Sequence, residues 1–346
     1  MKELNKLGWI DKDFQGDIEQ VARVMAVQKN SYFIADGRMT FIAALSGRFL
    51  NEVENSLGMP VVGDWVLAQK LVDEQKAVIQ KLLPRKSQFT RQAAGYKTEA
   101  QVLAANMDIV FITSSLNHDI NARRIERYVL STYESGAAPV LLLTKSDLVT
   151  ATEMEDVRLA LEKVAIGIPI IMISCVTGDG MEELGTFLES GKTAVLLGSS
   201  GVGKSTLINI LLNQEVQITS DIREDDSRGR HTTTHRELFQ LPNGALLMDT
   251  PGIRELQLWD GESAMDTAFQ DIETLAGNCH FRDCSHENEP GCQVQEAIAS
   301  GRLSEERLRS YFKLQRELAF EKRKQDQQAR IAAKNQWKKL TKLRRR

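Results

Sequence analysis

The run Gly198-Ser199-Ser200-Gly201-Val202-Gly203-Lys204-Ser205 constrains this chain more than any other feature. It follows the short apolar run Ala194–Leu197 and leads through Thr206 into a helical stretch ending at Leu212. Glycines let consecutive backbone N–H groups curl around phosphate oxygens, and the helix N-terminus turns its positive dipole end toward them. Lys204 is placed to reach the β- and γ-phosphates, and Ser205 to ligate an accompanying Mg²⁺. Such a strand–loop–helix commits the surrounding chain to an α/β layered sheet that binds ligands at the carboxyl ends of its strands. Asp108–Thr113, Val140–Leu143 and Ile168–Ile173 are apolar runs suited to strands buried on both faces. Arg123–Glu134, Thr152–Val164 and Met181–Glu189 lie between or after them with helical spacing.

Four further loops complete a nucleotide site. Asp249-Thr250-Pro251-Gly252 follows the apolar run Ala245–Met248, so Asp249 suits the Mg²⁺ shell through water and the Gly252 N–H can sense a γ-phosphate. Between the two phosphate elements lies Arg228-Gly229-Arg230-His231-Thr232-Thr233-Thr234, where Thr233 or Thr234 is expected to close over Mg²⁺ and triphosphate. Thr144-Lys145-Ser146-Asp147 follows the strand Val140–Leu143. A carboxylate there accepts hydrogen bonds from guanine N1–H and the exocyclic amine, which adenine cannot supply, and the Lys145 stem can cover the base. Ser174-Cys175-Val176, after the next strand, can offer backbone N–H groups to guanine O6. Asn is usual at position 144, so the shorter Thr144 is expected to weaken the ties between loops.

Three of the four cysteines fall in one window, Cys279-x₄-Cys284-x-His286-x₅-Cys292. That is a closed tetrahedral Cys₃His zinc set, structural because no ligand position is left for water. His280 is a spare imidazole with a structural role, and Cys175 is expected to pack rather than do redox chemistry. Toward the N-terminus, Val21–Val27, Tyr32–Ala35, Met39–Leu45, Val61–Gln69 and Ala77–Leu83 read as five short strands separated by turns. They fit a small barrel of the oligonucleotide-binding type. Residues 86–104 read as a linker, and Ser304–Leu343 as a long charged helical stretch without Pro or Gly. Charge is divided unevenly: residues 301–346 hold 16 Lys and Arg against 5 Asp and Glu, whereas residues 1–300 hold 28 against 42. A basic tail on an acidic body suggests contact with a polyanion. No apolar run nears the roughly 18–20 residues that cross a bilayer, and the first twenty residues lack a secretory pattern, so a cytoplasmic protein without membrane contact is expected.

The base-reading loops precede the phosphate loops, the reverse of the usual GTPase order and the mark of a circular permutation. With Val62-Gly63-Asp64-Trp65-Val66 in the barrel, the Arg228–Thr234 loop and the cysteine cluster, the chain resembles the circularly permuted, small-ribosomal-subunit-dependent GTPases known as RsgA or YjeQ. The resemblance implies three domains: an RNA-binding barrel over residues 1–85, a permuted GTPase over 86–265 and a zinc-knuckle and basic helical domain over 266–346. It implies a monomer that binds the 30S subunit and 16S rRNA and hydrolyses GTP to GDP under 30S stimulation during late maturation. Many GTPases orient the hydrolytic water with a Gln directly after the Asp-x-x-Gly element, but position 253 is Ile. His231, similar to the family's histidine in this loop, is the expected replacement. Two rivals share parts of the pattern: a phosphotransferase or ATPase, against which Asp147 argues, and a zinc-dependent rRNA-binding protein with a non-hydrolysing nucleotide site.

Overall fold

Alternating inward and outward side chains between residues 21 and 82 close a five-stranded barrel. The computed structural model describes residues 2–10, 14–28, 31–53, 55–92, 100–117, 119–213, 236–249, 262–287, 289–320 and 323. Helix α1 (Lys2–Asn5) precedes the barrel strands β1 (Val21–Gln28), β2 (Ser31–Ala35) and β3 (Thr40–Leu45). Helix α2 (Gly47–Glu52) separates these from β4 (Trp65–Leu71) and β5 (Lys76–Leu82). Antiparallel pairs β1–β2, β2–β3, β4–β5 and β1–β4 with the parallel pair β3–β5 complete the circuit of an oligonucleotide-binding-type barrel. Val24, Ile34, Phe41, Val66 and Ile79 fill its interior.

The barrel departs from the sequence reading at Val61–Asp64, where a turn replaces the start of the expected strand. Gly63 takes φ +90°, Asp64 N–H reaches Val61 O at 3.1 Å, and the Asp64 carboxylate accepts from Val61 N–H at 2.8 Å. The same carboxylate takes both the Nε and an Nη of Arg85, at 2.8 and 2.7 Å. A buried carboxylate needs such partners, and no extended strand could bring them together. The expected linker is likewise ordered in part, as an antiparallel hairpin of β6 (Gln88–Gln92) and β7 (Ala100–Ala105).

The nucleotide domain carries β8 (Ile109–Ser115), helix α3 (Ala122–Ser135), β9 (Ala138–Thr144), helix α4 (Ala151–Glu162), β10 (Ile170–Met172), helix α5 (Met181–Phe187), β11 (Thr193–Gly198), helix α6 (Lys204–Leu212), β12 (Arg236–Gln240) and β13 (Leu246–Asp249). Helix α4 begins on a capping box, Thr150 Oγ accepting from Glu153 N–H while the Glu153 carboxylate accepts from Thr150 N–H. The order β10-β9-β8-β11-β13 is parallel throughout, with β12 antiparallel beyond β13. Leu142, Ile171, Leu196, Leu207 and Leu247 share the main core of this sheet and its helices.

The sheet does not end at β12. Ala26 and Val27 of β1 pair with Glu237 and Arg236, so barrel and nucleotide domain share one eleven-stranded ladder. Arg23, 1% exposed, is the polar pin of this junction. It donates to Leu7 O, Gly63 O and Asn106 O, and its guanidinium lies 5.2 Å from the centre of the Trp65 ring. Burial lowers its pKa to about 10, against the pull of Asp108 and Asp64.

The chain forms two compact units, one built on residues 1–92 and 99–256, the other on residues 93–98 and 257–346. The second contains helices α7 (Glu262–Ala268), α8 (Gln270–Ala276) and α9 (Gln293–Ala299) and a further helix over residues 305–320. Phe269, Ile272, Val294, Ala297, Leu308 and Tyr311 are buried in it. Arg307, its side chain 2% exposed, ion-pairs with Asp271 at 3.1 Å and stacks 4.1 Å from the centre of Phe269. Among the described residues, no helix is long and apolar enough to cross a membrane.

Candidate functional site

Parallel pairing turns the carboxyl ends of β9, β10, β11 and β13 to one edge of the sheet, and the loops beginning at Thr144, Ser174, Gly198 and Asp249 each leave from one of them. The chain runs outward from β8 through β9 to β10, then returns to β11 and proceeds to the other side. The resulting switch point lies between β8 and β11, directly beneath the phosphate loop. Gly198 is dictated by this packing: a Cβ there would stand 2.2 Å from the Thr113 carbonyl oxygen of β8. Lys204 opens α6 and folds back, donating to Gly198 O at 2.8 Å and to Ser199 O. Ser205 and Thr206 continue the helix, Ser205 half-buried, whereas Asp249 is the last residue of β13.

The base-reading loop is held from three sides. Ser146 N–H donates to Ile173 O at the end of the neighbouring strand, 3.1 Å away. Lys145 takes a left-handed conformation, φ 61°, which turns the chain so that Asp147 follows in an exposed position. Ser174 Oγ donates to Asp147 Oδ1 at 2.6 Å and accepts from Val176 and Thr177 N–H, each at 3.1 Å. The Ser174 side chain therefore does a job that spacing did not reveal: it fixes one carboxylate oxygen. It also engages the Val176 N–H, while Ser174 N–H goes to Asp179 O at 3.0 Å. Of the three N–H groups expected to face guanine O6, Cys175 is left for that task. Burial, and then the Asp147 charge, pushes the Cys175 thiol above its ordinary pKa, so it is an unreactive packing group.

Thr144 ties the base-reading loop to the phosphate loop. It is 2% exposed, and its hydroxyl donates to the Val202 carbonyl of the phosphate loop at 2.6 Å, with Ser114 O at 3.4 Å as a second acceptor. A short side chain suffices because β9 delivers Thr144 beside Ser115 of β8, directly against the loop.

In the second unit, donor atoms of Cys279, Cys284, His286 and Cys292 all lie within 4.8 Å of one another. Tetrahedral zinc, with Zn–S about 2.3 Å and Zn–N about 2.0–2.1 Å, requires sulfur–nitrogen edges of about 3.5 Å and sulfur–sulfur edges of about 3.8 Å. Here His286 Nδ1 is 3.6 Å from Cys279 Sγ and 3.5 Å from Cys292 Sγ, and those sulfurs are 4.0 Å apart. The four residues fit the ion, and they specify Nδ1 as the histidine donor. Cys292 also caps α9, accepting from Gln295 N–H at 3.4 Å. His280 lies outside the cluster and makes an edge contact with Phe281, ring centres 4.7 Å apart. His231, Thr233, Thr234, Gly252 and most of the basic tail lie outside the described residues.

Residues 82–259 match the family model described as RsgA GTPase. A second model, described as ABC transporter, matches residues 181–340, beginning just before the phosphate loop that both kinds of protein use; it excludes the Thr144–Asp147 loop. Similar relatives include the small ribosomal subunit biogenesis GTPase RsgA 1 of Oceanobacillus iheyensis, 42% identical over 95% of this chain and 93% of the relative. The protein named small ribosomal subunit biogenesis GTPase RsgA in Methanosarcina acetivorans is 47% identical over 77% of this chain and 71% of the relative. Among solved structures, YjeQ from Thermotoga maritima superposes with TM-score 0.66 at 26% identity, over 87% of this chain and 98% of that one. YloQ, described as a circularly permuted GTPase, has the same fold with TM-score 0.63 at 23% identity, over 86% and 94% of the two chains.

Proposed function

Because this chain belongs to the RsgA GTPase family, we propose that it binds the 30S ribosomal subunit and acts as a GTP-driven checkpoint late in its maturation. It is a GTP hydrolase, converting GTP to GDP and phosphate, with turnover stimulated by the particle. One observation carries the reading: the base-reading and phosphate loops, in reversed chain order, meet at one sheet edge and are bonded together through Thr144 and Val202.

Asp147, steadied by Ser174, accepts from guanine N1–H and the exocyclic amine, Cys175 N–H meets O6, and Lys145 covers the base. Gly198–Thr206 cradle the phosphates, with Lys204 turning from Gly198 O toward the γ-phosphate. Ser205, and Asp249 through water, would hold the Mg²⁺ that supplies charge neutralisation when GTP is bound. Thr233 or Thr234, with the Gly252 N–H, meets the γ-phosphate, and His231 orients the attacking water. Cys279, Cys284, His286 and Cys292 hold one structural zinc. The basic tail and the barrel contact 16S rRNA, and the protein works as a cytoplasmic monomer.

Hydrolysis measured with and without purified 30S subunits tests the reading, together with 30S affinity in GTP analogue and in GDP. Stimulated turnover and tighter binding with the analogue are expected. Equal 30S binding in every nucleotide state with no turnover would instead identify an rRNA-binding protein with an idle nucleotide site.

A further inference from the structure

We propose that Thr144 is the positioning residue that locks the base-reading loop to the phosphate cradle, and that by doing so it leaves guanine N7 unread. The inference rests on the guanine site assigned above and extends it to the range of bases admitted.

A hydroxyl has one proton to donate, whereas an asparagine amide, usual at this position, has two. Two backbone acceptors already compete for that proton: Val202 O at 2.6 Å holds it, and Ser114 O stands at 3.4 Å. The side chain is 2% exposed, so rotating the hydroxyl toward a ligand would strand a buried carbonyl. Guanine presents its N1–H and amine to Asp147 and its O6 to the Cys175 turn. Its other acceptor, N7, lies on the five-membered ring beside O6. With the base on Asp147 and the phosphates on Gly198–Ser205, that side of the purine faces the stretch between the two loops. Thr144 occupies this stretch, three residues before Asp147 and bonded to Val202. An amide could bond the loop carbonyl with one proton and N7 with the other. Thr144 bonds the loop and has nothing left for the base.

The site therefore reads guanine on its Watson–Crick edge and O6 alone, and it accepts guanine nucleotides altered at position 7 by replacement of nitrogen with CH. Competitive binding of GDP, 7-deaza-GDP and inosine diphosphate to the full-length protein tests this. Inosine diphosphate, lacking the exocyclic amine, reports on Asp147: a loss of about tenfold or more is expected, and equal binding would reject the base-reading loop itself, separately from the present proposal. 7-Deaza-GDP should bind within about twofold of GDP, and a loss greater than fivefold overturns the claim that N7 is unread. Thr144→Asn, which supplies a second donor, should create a preference of about fivefold for GDP over its 7-deaza analogue. Thr144→Val should weaken both analogues by the same factor, about tenfold, and Thr144→Ser should restore wild-type affinity. Undiminished affinity in Thr144→Val, or a serine variant as weak as the valine variant, overturns the positioning role.

Discussion

Asp147 Oδ1 is bonded to the Ser174 hydroxyl at 2.6 Å, so the carboxylate proposed to read the base is already oriented. Asp147→Asn turns an acceptor pair into an amide carrying a donor, and charge-assisted bonds of this kind contribute about 1.5–3 kcal/mol each. Titration with fluorescent GDP should show a loss of 10-fold to 100-fold, and unchanged affinity would remove Asp147 from the site. Ser174→Ala removes the orienting bond to the carboxylate and leaves two N–H groups without their acceptor; because both guanine bonds can still form, the loss should be smaller than for Asp147→Asn, about fivefold. At the other end of the nucleotide, His231→Ala should leave GTP affinity nearly unchanged and lower 30S-stimulated turnover by roughly 10²-fold, the scale of a positioned acid–base group. Wild-type turnover accompanied by weaker 30S binding would make this histidine an RNA contact instead. Asp147 was legible as a candidate base reader from its spacing after a strand. Its bond to Ser174 was not, because the two residues are 27 positions apart and meet only when β9 and β10 pair.

The knuckle between α8 and α9 is the element whose order depends most on something outside the chain's own packing. Most residues between Cys279 and Cys292 are exposed, whereas the surrounding helices have a core and two polar latches, Arg307–Asp271 at 3.1 Å and Tyr311 Oη to Glu273 Oε1 at 2.8 Å. Chelation, or Cys284→Ser, should therefore release zinc and raise amide exchange across residues 279–296, because folding here is coupled to metal binding. The latched helices should exchange less, and nucleotide affinity should survive in the other unit. A full equivalent of zinc retained by Cys284→Ser on elemental analysis would dismiss the ligand set. The four candidate ligands were legible as residue types at short spacing, and the structure brings their donor atoms together. The choice of Nδ1 over Nε2 depends on the left-handed φ of 60° at His286 and on how α9 brings Cys292 back to Cys279, and neither is encoded in a pattern of cysteines.

At the level of the whole molecule, the β1–β12 ladder makes barrel and nucleotide domain one sheet, and Arg23 fastens three chain segments beside it. Thermal unfolding should show these two parts melting in a single transition. Arg23→Ala should lower that transition markedly, since each buried carbonyl left without a donor costs about 1–3 kcal/mol. Separate barrel and GTPase transitions in the wild-type protein would contradict this coupling. Here the division between sequence and structure is sharpest. Local chemistry determined the barrel strands and the candidates for phosphate loop, guanine carboxylate and metal ligands, because each depends on residue type at short range: glycines beside a lysine, a carboxylate after a buried strand, thiols a few positions apart. The tertiary structure alone decided that β12 would join β1, that residues 88–105 would form a hairpin, that Val61–Asp64 would turn around Arg85, and that Thr144 would reach Val202. These are pairings between residues 8 to more than 200 positions apart, made by polar groups that burial forces to find partners. A sequence shows that such partners are needed, and only the folded chain supplies them.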